Sequence, residues 1–268
     1  MTAFPGANAD RAEAEYAVVG APLDATASFR PGARFGPDRV RQFARGFEDY
    51  DHHTGQQFST LAVHDHGDVR AWNAPGEYVD HLASVLREFR QNDTVPLLLG
   101  GEHTVSVAGV RATEPDVFVS LDAHLDLRTD LDGEVWSHAT VTHHALETVE
   151  EAIILGARAG SETEWDRADG EDVTVVPPAE VPGWEPTFEG TAYLSVDVDA
   201  ADPAVAPGTG TPEPFGLDAA TMRDVVRTLA PRAVGFDVVE VNDRDDGEAA
   251  LLAAKLLRAF VFSHASGE

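Results

Sequence analysis

The chain has 268 residues, 19 of them basic and 47 acidic, for a formal net charge of -28, and 43% of it is hydrophobic. That balance excludes an acidic disordered tail, and it excludes nucleic acid and anionic membrane as partners, because no basic face remains to displace counterions from phosphate. With no cysteine in the chain, disulfides and thiolate zinc sites are excluded too, so any metal must be held by imidazole and carboxylate.

The amino terminus, MTAFPGANADRAEAEYAVVG, lacks a basic segment followed by a long apolar stretch. It reads as neither signal peptide nor anchor, so a cytoplasmic protein with residues 1–14 frayed is expected. Short apolar runs follow at 16–19, 95–99, 117–121, 152–155, 173–176, 192–198 and 234–241. Runs this short, rich in Val, Leu and Phe, predict strands buried on both faces and hence a parallel sheet. Between them lie helical stripes. Val40, Phe43, Ala44 and Phe47 share a face behind Pro37, and Tyr78, Leu82, Val85, Leu86 and Phe89 share another. Met222, Val225, Val226 and Leu229 follow a cap at Asp218, and Leu252, Leu256, Ala259 and Phe260 close the chain. The alternation predicts an α/β fold, and with no repeat or linker 1–268 reads as one domain. The Pro/Gly-rich stretch 202–216, between a strand and a helix, reads as a functional loop.

Lys255 is the only lysine. An acidic, lysine-poor globular chain suits a salt-saturated cytoplasm, where screening removes self-repulsion, so the sequence reads as halophilic.

Four of the predicted strands end in polar clusters. VPLLL runs into Gly100, Gly101, Glu102 and His103; VFVSL into Asp122, His124 and Asp126; AYLSV into Asp197 and Asp199; VGFDVV into Glu240. In open parallel sheets ligands bind outside the carboxyl ends of the strands, so these four ends predict one crevice. Two imidazoles (His103, His124) and four carboxylates (Asp122, Asp126, Asp197, Asp199) exceed the needs of one small cation but suit two divalent ions sharing carboxylates. A sulfur-free His/carboxylate set favours Mn²⁺, with Fe²⁺, Co²⁺, Ni²⁺ and Zn²⁺ as alternatives.

GGEHT (100–104), SLDAHLD (120–126), SVDVDAADP (195–203) and GFDVVEVN (235–242) resemble the signature segments of the ureohydrolase family of arginases and agmatinases. GAPLDATASFRPGARFGPDRVR (20–41), WSHAT (136–140) and PGTGTPEP (207–214) resemble agmatinase-type members in the same order. The resemblance implies a three-layer αβα arginase-type fold with a central, mainly parallel sheet, assembled into trimers or hexamers. It also implies hydrolysis of a small guanidino substrate, agmatine before all, with two Mn²⁺ per chain. His103, Asp122, Asp126 and Asp197 would hold one ion, and Asp122, His124, Asp197 and Asp199 the other. His138 matches the family's proton-shuttling histidine, and Glu240 the acid that pairs with guanidinium. Glu102 and Thr104 depart from the commoner Asp and Ser, Phe215 from glycine and Asp243 from proline; the last two are expected near the pocket mouth.

Other readings stand beside this one. Arginine, guanidinobutyrate, formimidoylglutamate or guanidine could be the substrate, with Arg30, Arg34 or Arg128 meeting a carboxylate. A non-catalytic metal-binding subunit is the reading from another class, and Phe215 is the feature that favours it. A deacetylase-like mononuclear zinc site would not need the close pair Asp197 and Asp199, and no G-x-S-x-G motif marks a serine hydrolase. His64 and His66 read as packed or hydrogen-bonded behind the site, His143 and His144 as supporting or surface residues, and His52 and His53 as solvated. Gly100 and Gly101 lack the lysine of a phosphate loop and read as a tight turn presenting His103. The charge predicts that unfolding followed against KCl concentration shows higher stability at molar salt; independence from salt would overturn the halophilic reading.

Overall fold

The computed structural model describes residues 3–267. The chain opens on β1 (Tyr16–Ala21) and α1 (Gly36–Ala44), then makes a small hairpin of β2 (Tyr50–Asp51) and β3 (Gln56–Gln57). After β4 (Val63–Asp68) and α2 (Pro75–Arg90) come β5 (Val95–Gly100), α3 (Ser106–Thr113), β6 (Val117–Leu121) and α4 (Val141–Ala145). β7 (Glu151–Leu155), α5 (Glu162–Ala168), β8 (Val173–Val176), β9 (Ala192–Asp197), α6 (Ala219–Leu229), β10 (Ala233–Val239) and α7 (Glu248–Ser266) complete it. Eight strands form one sheet in the order β4-β1-β5-β10-β9-β6-β7-β8, and every neighbouring pair is parallel.

The two faces of the sheet alternate along each strand, as the pleat requires. Tyr16, Val18, Leu97, Leu99 and Phe236 pack against α1, α6 and α7. Ala17, Val19, Leu98, Phe118 and Tyr193 pack against α2, α3 and α4. Three layers result, and each of the seven apolar runs falls on a strand of the sheet. Asp218 caps α6 as expected, its carboxylate accepting from the Thr221 N–H at 2.7 Å. α7 is long and apolar enough by composition to cross a membrane, yet Ala253, Leu257, Phe260 and Val261 are fully buried, with Phe260 stacked on Phe236 at 4.6 Å. It is a core helix of the sandwich.

Ahead of β1, Phe4 is buried against Phe58 at 5.6 Å, and Ala9 N–H donates to Val63 O at 3.0 Å. One feature differs from the sequence expectations. The strand VHDHGD (β4) has too polar a pattern to be predicted. It is an edge strand whose acids are met by a buried cation: Arg41 of α1 forks onto Asp65 at 2.8 and 2.9 Å and reaches Asp68 at 2.7 Å. Arg41→Ala would strand Asp65 in the interior. Because breaking a buried pair typically costs 3–5 kcal/mol, the variant is expected to lose about 3 to 5 kcal/mol of unfolding free energy, read from the shift of its denaturant midpoint.

Candidate metal centre

β5, β10, β9 and β6, the four strands that end in polar clusters, are consecutive neighbours in the sheet. Because they run parallel, their carboxyl ends share one edge. Val239 pairs with Asp197 and Leu121 with Val196, which sets Asp122 opposite Asp197 and Glu240 one step beyond. Tight turns then aim the side chains. A Cβ at Gly101 would lie 1.9 Å from the Leu23 carbonyl oxygen, so only glycine lets β5 turn into the short helical turn His103–Val105. Asp126 and Glu240 hold φ of 51° and 60°, a left-handed conformation that costs a non-glycine residue about 1–3 kcal/mol. Hydrogen bonds hold both: His143 N–H donates to Asp126 O at 3.2 Å, and Glu240 N–H to Gly101 O at 2.8 Å.

The protons around His103 can be assigned from geometry. Ser195 donates its only proton to Asp237 Oδ1 at 2.6 Å, so at 3.0 Å from His103 Nε2 it accepts. Nε2 therefore carries a proton, and in a neutral ring Nδ1 presents a lone pair. That nitrogen faces three carboxylate oxygens, of Asp126 at 2.9 Å, Asp122 at 3.1 Å and Asp197 at 3.7 Å. One proton on Nδ1 could serve only one of them, and Asp122 Oδ2, although near, is buried with no hydrogen bond. A cation among these atoms satisfies them all, so the residues fit a metal ion.

The second half of the cluster repeats the logic. His124 Nδ1 lies 3.0 Å from Asp199 Oδ2 and 3.7 Å from Asp122 Oδ1. Backbone donors fill the outward oxygens, Ala123 N–H meeting Asp199 Oδ1 at 3.1 Å and Asp199 N–H meeting Asp197 Oδ1 at 2.8 Å, while the Thr211 hydroxyl donates at 3.1 Å to the Asp199 Oδ2 that faces His124. His103, Asp122 and Asp197, and likewise Asp122, His124 and Asp199, bring ligand atoms within 4.8 Å of one another, with Asp122 common to both. Asp126 stands beside His103 but outside both trios as its side chain is turned. Sequence-distant groups thus converge on a site able to bind a metal ion.

Crowding leaves an electrostatic signature. Burial, then the Asp122 charge, pushes Asp126 up to about 7. Burial and neighbouring carboxylates raise Asp197 well above the usual range. Glu240 goes to about 8, through burial first and then Glu102, against the His103 N–H that it accepts at 2.9 Å. Burial would depress His103, but Asp122 and Asp126 outweigh it and raise the ring well above its ordinary value.

The sequence profile of the arginase family matches residues 14–263. Agmatinase from Pyrococcus horikoshii is 34% identical, over 92% of this chain and 91% of its own length. N(1)-aminopropylagmatine ureohydrolase from Thermococcus kodakarensis is 32% identical, over 91% and 89%. The crystal structure of agmatine ureohydrolase of Thermoplasma volcanium superposes with a TM-score of 0.93 at 33% identity, covering 99% of this chain and 95% of that one.

The chain belongs to the arginase family. It is a hydrolase acting on guanidino compounds. The arginase-family crevice opens into a cleft of about 360 Å³ lined by Ser28, His124, Asp126, His138, Glu164 and Glu213 among others. A larger groove of about 850 Å³ between the 46–51 segment, α6 and α7 holds none of these groups, so chemistry rather than size places the site. His138 sits in the cleft wall with Nε2 3.1 Å from Ser28 Oγ and Nδ1 3.2 Å from Thr26 Oγ1. Burial first, and then the charges of His124 and His103, push its ring down to about 4. Glu240 does not line the cleft; its Oε2 lies against Gly210.

Several residues fall elsewhere than expected. Phe215 is 85% exposed and Asp243 pairs with Arg39, and neither lines the cleft. Arg30 lies over Phe29 and Arg34 pairs with Asp24, leaving Arg128 the arginine in the cleft, with its Nε 3.2 Å from Glu164. His64 bonds Ala9 O at 3.0 Å and His66 packs edge-on against Phe89. Glu102 is buried and accepts from Thr26 and Thr104 at 2.9 Å each, which ties it to His138 through Thr26.

Sequence reasoning missed Asp237, Ser195 and Arg158. The signal for Asp237 was a carboxylate inside an otherwise apolar run. Arg158 carried none: its guanidinium bonds six carbonyl oxygens, of Gly156, Asp199, Ala200, Ala201, Glu213 and Pro214, pinning the 202–216 loop to the site.

The raised carboxyls give a pH dependence with a definite sign. Asp126 moves from an ordinary 3.8 to about 7 and Glu240 from 4.5 to about 8. Their protonation stabilises the metal-free fold fully below about pH 4, and that stability is lost as pH rises through 7–8. The melting temperature of chelator-treated protein is expected to fall between pH 5 and 9, with a much smaller fall after metal loading, where the cation replaces the protons. Parallel curves would contradict the assignment.

Proposed function

We propose that the chain is an agmatinase-type ureohydrolase that converts agmatine to putrescine and urea with two Mn²⁺ per chain. His103, Asp122, Asp126 and Asp197 would hold one ion, and Asp122, His124, Asp197 and Asp199 would hold the other. The convergence of three carboxylates on His103 Nδ1, the ring nitrogen not committed to Ser195, supports the metal assignment. The cleft supports the substrate: Glu164 and Glu213 line it, and its one arginine faces Glu164. Such a wall receives a second cationic group, as agmatine has, and repels the carboxylate of arginine, guanidinobutyrate or formimidoylglutamate.

Metal held by these aspartates and histidines would offset their buried charge and would supply a water of lowered pKa as the nucleophile. Raised to about 8 in the metal-free protein, Glu240 would give up its proton beside bound cations and then offer the guanidinium a charge-assisted partner, one oxygen already oriented by the His103 backbone N–H. The amine leaves only if protonated, which falls to His138. With its ring held neutral, His138 is no standing acid at pH 7; it relays a proton taken from solvent as the leaving nitrogen demands one. Thr26 and Ser28 set the ring's orientation.

The proposal also takes 1–268 as one ureohydrolase domain, assembled as a trimer or hexamer in a salt-rich cytoplasm. The test is urea release by Mn²⁺-loaded protein at molar salt. Agmatine, N(1)-aminopropylagmatine, arginine and guanidinobutyrate are compared by kcat/KM, with formimidoylglutamate scored as formamide. Because like-charge juxtaposition costs several kcal/mol, agmatine should exceed the carboxylate-bearing substrates by at least about 100-fold. A preference for N(1)-aminopropylagmatine would keep the mechanism and lengthen the pocket's substrate; no turnover on any, with two ions bound, would favour a non-catalytic subunit.

A further inference from the structure

A second group of metal-grade side chains lies outside the crevice, where α4 turns into the loop before β7: His143, His144 and Glu147, whose ligand atoms lie within 4.8 Å of one another. His144 is 4% exposed, and its ring stacks on Trp136 at 4.0 Å and 8°. Its Nε2 lies 3.0 Å from the Val135 carbonyl oxygen, which can only accept, so Nε2 carries the proton and Nδ1 of the neutral ring presents a lone pair. That lone pair faces Glu147 Oε1 at 3.3 Å, acceptor against acceptor. The other carboxylate oxygen, Oε2, is already met by Arg111 at 3.2 Å.

An imidazole whose second nitrogen donates to a carbonyl, beside a carboxylate braced by an arginine, is the arrangement that orients metal ligands. Bonds of 2.0–2.1 Å at tetrahedral angles put ligand atoms about 3.3 to 3.4 Å apart, the separation seen here between Nδ1 and Oε1. His143, only half-buried, closes the third side by a change of rotamer, and water completes the fourth.

We propose that His143, His144 and Glu147 form a further cation site, separate from the crevice, for a borderline divalent transition ion of the Zn²⁺ class. Two imidazoles and one carboxylate favour such an ion over Mn²⁺. The site is structural: α4 starts one residue after the turn that carries His138, and the His143 N–H holds the Asp126 carbonyl at 3.2 Å, so the ion fixes the segment between the two. The inference does not rest on the proposed function.

Equilibrium dialysis of metal-free wild type, His143→Ala and Glu147→Gln against Zn²⁺ tests it. Each variant should bind one ion per chain fewer, or bind it more than about 100-fold more weakly, since loss of a direct ligand exceeds the 10–100-fold effect of an outer partner. The difference is independent of how many ions the main centre holds. Both side chains are partly exposed, and unchanged far-UV circular dichroism confirms that the variants fold. If either variant keeps the full count at wild-type affinity, the proposal fails, and His144 is an imidazolium paired with Glu147.

Discussion

Burying Asp122, Asp126, Asp197, Asp199 and Glu240 at one edge of a sheet is the constraint around which the rest of this molecule is arranged. Desolvating a single ion costs several kcal/mol even after relaxation, and here five carboxylates share one low-dielectric crevice. The fold divides the problem. Outward-facing oxygens are satisfied by fixed donors, among them the N–H groups of His103, Ala123 and Asp199. Atoms turned inward are left to one another, and Asp122 Oδ2 accepts no hydrogen bond at all. Such an arrangement is unstable as a set of anions and favourable as a cage for positive charge, which is how binding of a metal becomes part of the stability of the fold.

Precision in that cage comes from groups that never face it. Ser195 and Asp237, on neighbouring strands, commit Nε2 of His103 and so fix Nδ1 as the nitrogen that faces the carboxylates. Glu102 acts through Thr26 on the ring of His138. Arg158 gathers carbonyls from both the Asp199 turn and the TPEP segment, so that loop and ligands move as one body. Ser195 and Asp237 sit on β9 and β10, and strand-borne groups hold site geometry more tightly than groups on free loops. The left-handed backbone at Asp126 and Glu240 is tolerated because the same network over-determines it.

Much of this was legible in the residue pattern, for reasons that differ between elements. The six interior strands announce themselves because parallel strands buried on both faces leave continuous apolar runs, and the edge strand β8 shows through its Val-rich run VTVV. β4 does not, because its acids are neutralised by Arg41 from a helix more than twenty residues earlier, a pairing that no local window contains. The docked amino terminus was likewise hidden, since a lone Phe4 in a polar segment has no periodicity.

By itself, the sequence determined the fold class and the strand ends that carry His and Asp groups able to bind a metal ion, because periodicity and side-chain chemistry are local properties written along the chain. Tertiary structure alone decided that β5, β10, β9 and β6 are adjacent and that His103 Nδ1 faces three carboxylates. It likewise decided that Arg158 clamps the loop, that the cleft wall is acidic, and that Phe215 is exposed and does not line the cleft. Those facts depend on distances between residues 20 to 140 positions apart. Only the closing of the sheet, driven by burial of its two apolar faces, sets such distances.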